Sequence, residues 1–113
     1  MLPARHRLRE KADFAAAVRS RRSGGPRLVV HAIKTDARAG APPRVGLVVS
    51  KAVGNAVVRN RTKRRVRALM SRHVTVLPTG VDLVIRARPS AAEATYEQLA
   101  RDLERQISSV LTR

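Results

Sequence analysis

A chain of 113 residues is the size of one ordinary domain, so a single hydrophobic core is expected over residues 1–113. With 24 Lys and Arg against 8 Asp and Glu the formal net charge is +16, and a compact state under that self-repulsion calls for an anionic partner. The absence of Cys excludes disulfides, thiolate metal sites and cysteine nucleophiles and suits a reducing cytoplasm, and no apolar run approaches the roughly 18 residues of a membrane span.

Phe14 and Tyr96 are the only aromatic residues, so aliphatic side chains and alanine must fill the core, and stacking surfaces are scarce. His6, His31 and His73 are too scattered for a zinc site. Arg5, Arg7, Arg9, Lys11, Arg19, Arg21 and Arg22 imitate an organellar transit peptide, but Glu10 and Asp13 interrupt that pattern and no secretory apolar stretch follows Met1. The segment reads equally well as the first element of a fold.

In chain order, Phe14, Ala17 and Val18 recur at helical spacing and predict a short helix from Lys11 to about Arg22, stopped by Ser23-Gly24-Gly25-Pro26. Leu28 to Thr35 is rich in Val and Ile and is separated from Arg44 to Ser50 by a loop holding Gly40, Pro42 and Pro43. These two read as neighbouring strands on a flexible connection. A helix is predicted from Asn55 to about His73, although Val57, Val58, Thr62 and Val66 need packing to hold it. Leu77-Pro78-Thr79-Gly80 ends that region, and Val81 to Arg88 alternates as a strand with Leu83, Ile85 and Ala87 on one side. Ser90-Ala91-Ala92-Glu93 has the form of a capping box and predicts that a long helix starts there, its stripe Tyr96, Leu99, Leu103, Ile107, Val110 and Leu111 packing on the core. The fold class is α+β: one mixed sheet with helices packed on it.

The chemistry is concentrated in the second helix. In RNRTKRRVR, Arg59 to Arg67, six of nine residues are basic, and Lys51 to Arg72 contains no acidic residue. At about 100° per residue, Val58, Thr62, Val66, Leu69 and Met70 share one arc. Asn60, Arg61, Lys63, Arg64, Arg65, Arg67 and Arg72 take the rest, with Arg59 on the border. A merely solvated helix face usually mixes signs to gain i,i+4 support, whereas Arg61 and Arg65 repel each other. Arginine also bonds phosphate bidentately, so the helix is read as a polyanion-binding face. Ahead of it, Ser50-Lys51-Ala52-Val53-Gly54-Asn55 leaves a strand through a glycine turn, but the Walker pattern is absent and no nucleotide site is expected.

The stretch VGLVVSKAVGNAVVRNRTKRRVR, Val45 to Arg67, resembles the signature of the bacterial ribonuclease P protein component, with its Arg-Asn-Arg core at Arg59-Asn60-Arg61. The N-terminal RLREKADFAAAV resembles that family's first helix, so the likeness spans nearly the whole chain. It implies an α-β-β-β-α-β-α sandwich, one strand more than periodicity reveals, with a left-handed crossover between parallel strands. It also implies a cytoplasmic protein, monomeric within a ribonucleoprotein, that helps a catalytic RNA remove the 5′ leader from precursor tRNA. Arg59, Asn60, Arg61, Lys63, Arg64, Arg65 and Arg67 would then engage the RNA subunit. Phe14, Val18, His31, Ser50 and Lys51 would match the leader cleft. Phe14 has a second reading, as the core anchor of the first helix. Val18 stands where many relatives carry another aromatic and His31 near a strand position that is often Tyr, so stacking on the leader should be weaker.

A free-standing nuclease would need clustered carboxylates or an acid–base pair. Glu10, Asp13, Asp36 and Asp82 lie in different elements, and Glu93, Glu97, Asp102 and Glu104 crowd the last helix, where charge pairing is the simpler role. No metal site is therefore expected on the protein, and catalytic Mg²⁺ is expected on the RNA, as the resemblance implies. A structural RNA-binding protein of ribosomal type remains the alternative, and a DNA-binding module a third, though no helix-turn-helix spacing supports it.

Overall fold

The structure, a computed structural model, describes residues 2–112. Lys11–Val18 forms helix α1, Arg21–Gly24 strand β1, Leu28–Lys34 β2, Arg44–Val48 β3, Ala56–His73 α2, Val81–Ala87 β4 and Tyr96–Leu111 α3. Short 3-10 turns fill several connections, among them Lys51–Val53 before α2 and Pro89–Glu93 before α3. The four strands make one mixed sheet in the order β1-β2-β4-β3, with β3 parallel to β4 and the other pairs antiparallel.

The α+β class and the mixed sheet therefore stand, and three local expectations change. The first helix stops at Val18 rather than near Arg22, because Arg21–Gly24 pairs with Val29–Ala32 as an edge strand. The strands Leu28–Lys34 and Arg44–Val48 are not neighbours: β4 lies between them and bonds to both, so its central residues Leu83, Val84 and Ile85 are buried on both faces. Their connection is also tied down, with the Arg38 guanidinium donating to the Pro42 carbonyl at 2.7 Å and the Gly80 amide donating to Ala41 at 2.8 Å.

The third change concerns the start of α3. Ser90 does not cap a helix; its hydroxyl donates to the Pro26 carbonyl at 2.7 Å, and the chain turns and extends through Ala94. The working capping box is Thr95-x-x-Gln98, in which the Gln98 amide donates to the Thr95 hydroxyl at 3.1 Å and the Thr95 amide to the Gln98 side chain at 2.9 Å. Beginning there, α3 turns Leu99, Leu103, Ile107 and Val110 onto β1 and β2.

Two layers cover the sheet. One face carries the main core: Leu28, Val30 and Ala32 of β2 and Val81, Leu83 and Ile85 of β4 meet Val66, Leu69 and Met70 of α2 and the α3 stripe. The opposite face is covered by α1, where Phe14, Ala17 and Val18 pack with Leu8, Ile33 and Val84. This leaves the polar side of α2 in solvent and part of the α1 face uncovered.

Candidate nucleic-acid interface

The N-terminus of α2 is prepared by Gly54, whose φ of 153° is a conformation L side chains rarely adopt. Asn55 follows as the cap, its side chain accepting from the Val58 amide at 3.0 Å. Thr62, Val66, Leu69 and Met70 are buried, as the apolar arc predicts, and the basic residues take the other sides.

Those basic residues divide into two sets. Asn60, Lys63, Arg64 and Arg67, with the 75 % exposed Val57, line an open concavity of about 470 Å³. Arg61 and Arg65 instead reach sideways, donating to the Ala92 carbonyl at 3.2 Å and the Ala94 carbonyl at 2.9 Å. The half-buried Arg59 keeps a buried Nε without a hydrogen-bond partner. Arg44 meets Asp82 at 2.7 Å and Asp13 at 3.3 Å on the α1 face, and among the described residues no such pair is found for a cation of α2. The cations of α2 thus lack a carboxylate within ion-pair reach, and their field points outward.

A second site lies on the α1 face. Phe14 stands on Gly46 of β3 so closely that a Cβ there would run into ring atoms Cε1 and Cζ. Glycine at that position is what lets α1 settle on the sheet. Two residues further along the strands, about 7 Å on, a row of side chains clears α1. There Val29, Val48, Ser50, Arg86 and Arg88 line a groove of about 260 Å³, and Arg86 holds a buried Nε without a partner. Apolar walls with an unspent guanidinium donor can take up a nucleotide and its phosphate.

The five residues expected to form a cleft are therefore not equivalent. Ser50 lines the groove and Lys51 is exposed beside it. Phe14 is half-buried over the adjoining row and packs with Leu8, Ala17 and Val84, as its reading as the anchor of α1 expects. Val18 is half-buried in the cluster under α1. His31, 1 % exposed, is buried on β2 opposite Val84 and is not part of the groove lining. Sequence reasoning missed Arg86 and Arg88, whose signal was present in the alternation of β4, on the side opposite Leu83, Ile85 and Ala87.

Both ring nitrogens of His31 lack a full hydrogen bond, and its pKa is lowered by burial first and then by the neighbouring Arg86 and Arg22, with the Val18 backbone opposing. Asp82, Arg44, Asp13 and Arg88 are among the other charged groups on this face of the strands and α1. Because His31 is neutral in the folded chain below its ordinary value near 6.5, the unfolded chain takes up the proton first as pH falls. Stability is thus complete above that value and declines below it. The melting temperature should fall between about pH 7 and pH 5, and His31→Phe should flatten that part of the profile. An unchanged slope in His31→Phe would assign the loss to other groups.

Among the described residues no three His, Asp or Glu side chains converge as a metal site, and no helix is long and apolar enough to cross a membrane.

Comparison with known proteins places this arrangement in context. The family model described as Ribonuclease P matches residues 2–110. The chain is 50% identical over 113 residues to the ribonuclease P protein component of Kocuria rhizophila, covering 100% of this chain and 98% of that one. It is 55% identical over 106 residues to the corresponding protein of a Nocardioides species, covering 93% and 91%. Among solved structures, the Staphylococcus aureus RNase P protein superposes with a TM-score of 0.81 at 28% identity, over 91% of this chain and 93% of that chain. The Thermotoga maritima RNase P protein does so with a TM-score of 0.74 at 28% identity, over 89% and 94%.

Proposed function

The chain belongs to the ribonuclease P protein family, and from that premise we propose that it binds the catalytic RNA through α2 and the 5′ leader of precursor tRNA through the groove beside α1. The observation that carries this reading is the outward face of α2, where Asn60, Lys63, Arg64 and Arg67 surround an open concavity and no carboxylate neutralises them. The groove supplies a second, separate RNA surface, so one small domain can hold two RNA segments at once.

In this account the protein contributes binding energy rather than bond chemistry. Its cations screen the repulsion between two polyanions, and leader contacts fix the position of the scissile phosphate. Mg²⁺ would be held by the RNA, not by residues of this chain, and would supply the chemistry of hydrolysis there. Screening by the protein lowers the Mg²⁺ concentration at which the complex assembles. The same basic surface is compatible with a ribosomal-type RNA-binding protein, but family membership and the separate groove favour the leader-processing role.

The leader assignment is tested by Phe14→Ala in the reconstituted ribonucleoprotein. An aromatic–base contact is worth roughly 1–3 kcal/mol, so affinity for leader-bearing precursor should fall about five- to a hundredfold while affinity for mature tRNA stays. Equal losses for both would remove Phe14 and its groove from leader recognition.

A further inference from the structure

Three arginines outside both sites, Arg27 in the turn between β1 and β2 and the exposed Arg101 and Arg105 on α3, have no carboxylate within ion-pair reach among the described residues, and neither has Arg88 at the end of the groove beside α1. Pro26 and Arg27 wall two adjoining shallow grooves. One, of about 320 Å³, runs to Ser90 and Glu93; the other, of about 240 Å³, runs to Arg101 and Arg105, and Gln98 lines both. The link to the groove beside α1 is Arg88. It lines that groove with Val48 and Ser50, its backbone amide donates to the Arg27 carbonyl at 2.8 Å, and its guanidinium lies over Gly24. Basic side chains therefore follow one another around the edge of the domain as Arg86, Arg88, Arg27, Arg101 and Arg105.

We propose that this arginine track receives the phosphates of the upstream part of the leader, beyond the nucleotides seated beside α1. The proposal rests on the leader reading of the α1 groove, of which the track is the continuation. The acidic residues of α3 do not cancel it. At about 100° per residue, Gln98, Asp102 and Arg105 lie to one side of Arg101, and Glu97 and Glu104 to the other. On the groove side the Asp102 carboxylate is already occupied by the Arg27 and Leu28 amides and the Gln106 side chain. Apart from the exposed Glu93 at the Ser90 end, what faces solvent there is guanidinium with a polar amide beside it, a surface that fits a flexible phosphate backbone without reading bases. A continuous single strand is favoured over the catalytic RNA because the track adjoins the leader groove and not the exposed face of α2.

The test is binding by the reconstituted ribonucleoprotein carrying Arg101→Gln and Arg105→Gln together. Precursors with leaders of roughly 4 and roughly 16 nucleotides span the usual range of single-strand site sizes. The double variant should bind the long-leader precursor about tenfold more weakly and the short-leader precursor normally. Its salt slope on the long leader should flatten by about 1.4, two single-strand phosphate contacts. Equal loss at both lengths would place the patch on the catalytic RNA or the tRNA body, and no loss at either would empty it of RNA; each overturns the track. Arg21→Gln with Lys34→Gln removes the same charge from the far end of the β1–β2 hairpin, and an equal length-dependent loss there would reduce the effect to net charge and overturn it too. Arg86→Gln reports on the α1 groove itself and should weaken both leader lengths but not leaderless tRNA. Absence of that pattern overturns the groove reading, whereas the expected Arg86→Gln pattern together with a length-independent double variant overturns the track alone.

Discussion

Replacing Lys63, Arg64 and Arg67 together by Gln should weaken binding to the catalytic RNA about a hundredfold at moderate salt. Each exposed charge contact is worth at most about 1 kcal/mol, and three sum to about 3 kcal/mol. These side chains line the outward concavity and make no hydrogen bond or ion pair within the domain, and Gln is nearly as good a helix former, so the fold should be unaffected. With about six phosphates neutralised, log affinity against log salt should run at roughly −4 to −5 for the unmodified protein and at about half that for the variant. A slope indifferent to the substitution would remove this face of α2 from the RNA interface. Arg61 and Arg65 form a separate class. Their bonds to the Ala92 and Ala94 carbonyls hold the connector before α3, so removing them should lower thermal stability as well as affinity.

The largest effect on stability should come from Asp102→Ala. The Asp102 side chain is 5 % exposed and accepts from the Leu28 amide at 2.8 Å, the Arg27 amide at 3.1 Å and the Gln106 side chain at 3.0 Å, while Gln106 in turn accepts from the Ser23 hydroxyl. Removing the carboxylate strands two backbone donors and a buried amide. At about 1–3 kcal/mol for a stranded buried donor the loss is about 3 kcal/mol, a large part of the about 5–15 kcal/mol available to a domain. The melting temperature should drop by roughly 15 °C. Glu104→Gln, one turn-edge away and exposed, should move it by under about 3 °C. A drop no larger for Asp102→Ala than for Glu104→Gln would mean that the hairpin does not depend on this network.

The same network explains why β1 could not be read from periodicity, although the family resemblance implied one more strand. Arg21-Arg22-Ser23-Gly24 has neither alternation nor β-branched residues. It becomes a strand through pairing with β2 and through the Ser23 hydroxyl donating to Gln106 of α3, 83 positions away. Insertion of β4 between β2 and β3 is equally non-local. The two patterns Ser90-x-x-Glu93 and Thr95-x-x-Gln98 are locally equivalent, and the choice between them falls to the Ser90 bond with Pro26 and the burial of Ala91 and Ala94. The long helices were legible because their apolar stripes persist over several turns. The α2 face was legible because its residues are contiguous in sequence. The groove was only half legible, since Val29, Val48 and Arg86 meet through register across three strands.

The central claim, that this protein assists a catalytic RNA in removing precursor tRNA leaders, is tested most directly by cleavage of a leader-bearing precursor at low Mg²⁺. The reaction is run with a compatible bacterial ribonuclease P RNA alone, with the protein alone, and with both. The account predicts correct 5′ processing only in the mixture. Cleavage by the protein alone, or no activation of the RNA by the protein, would contradict it.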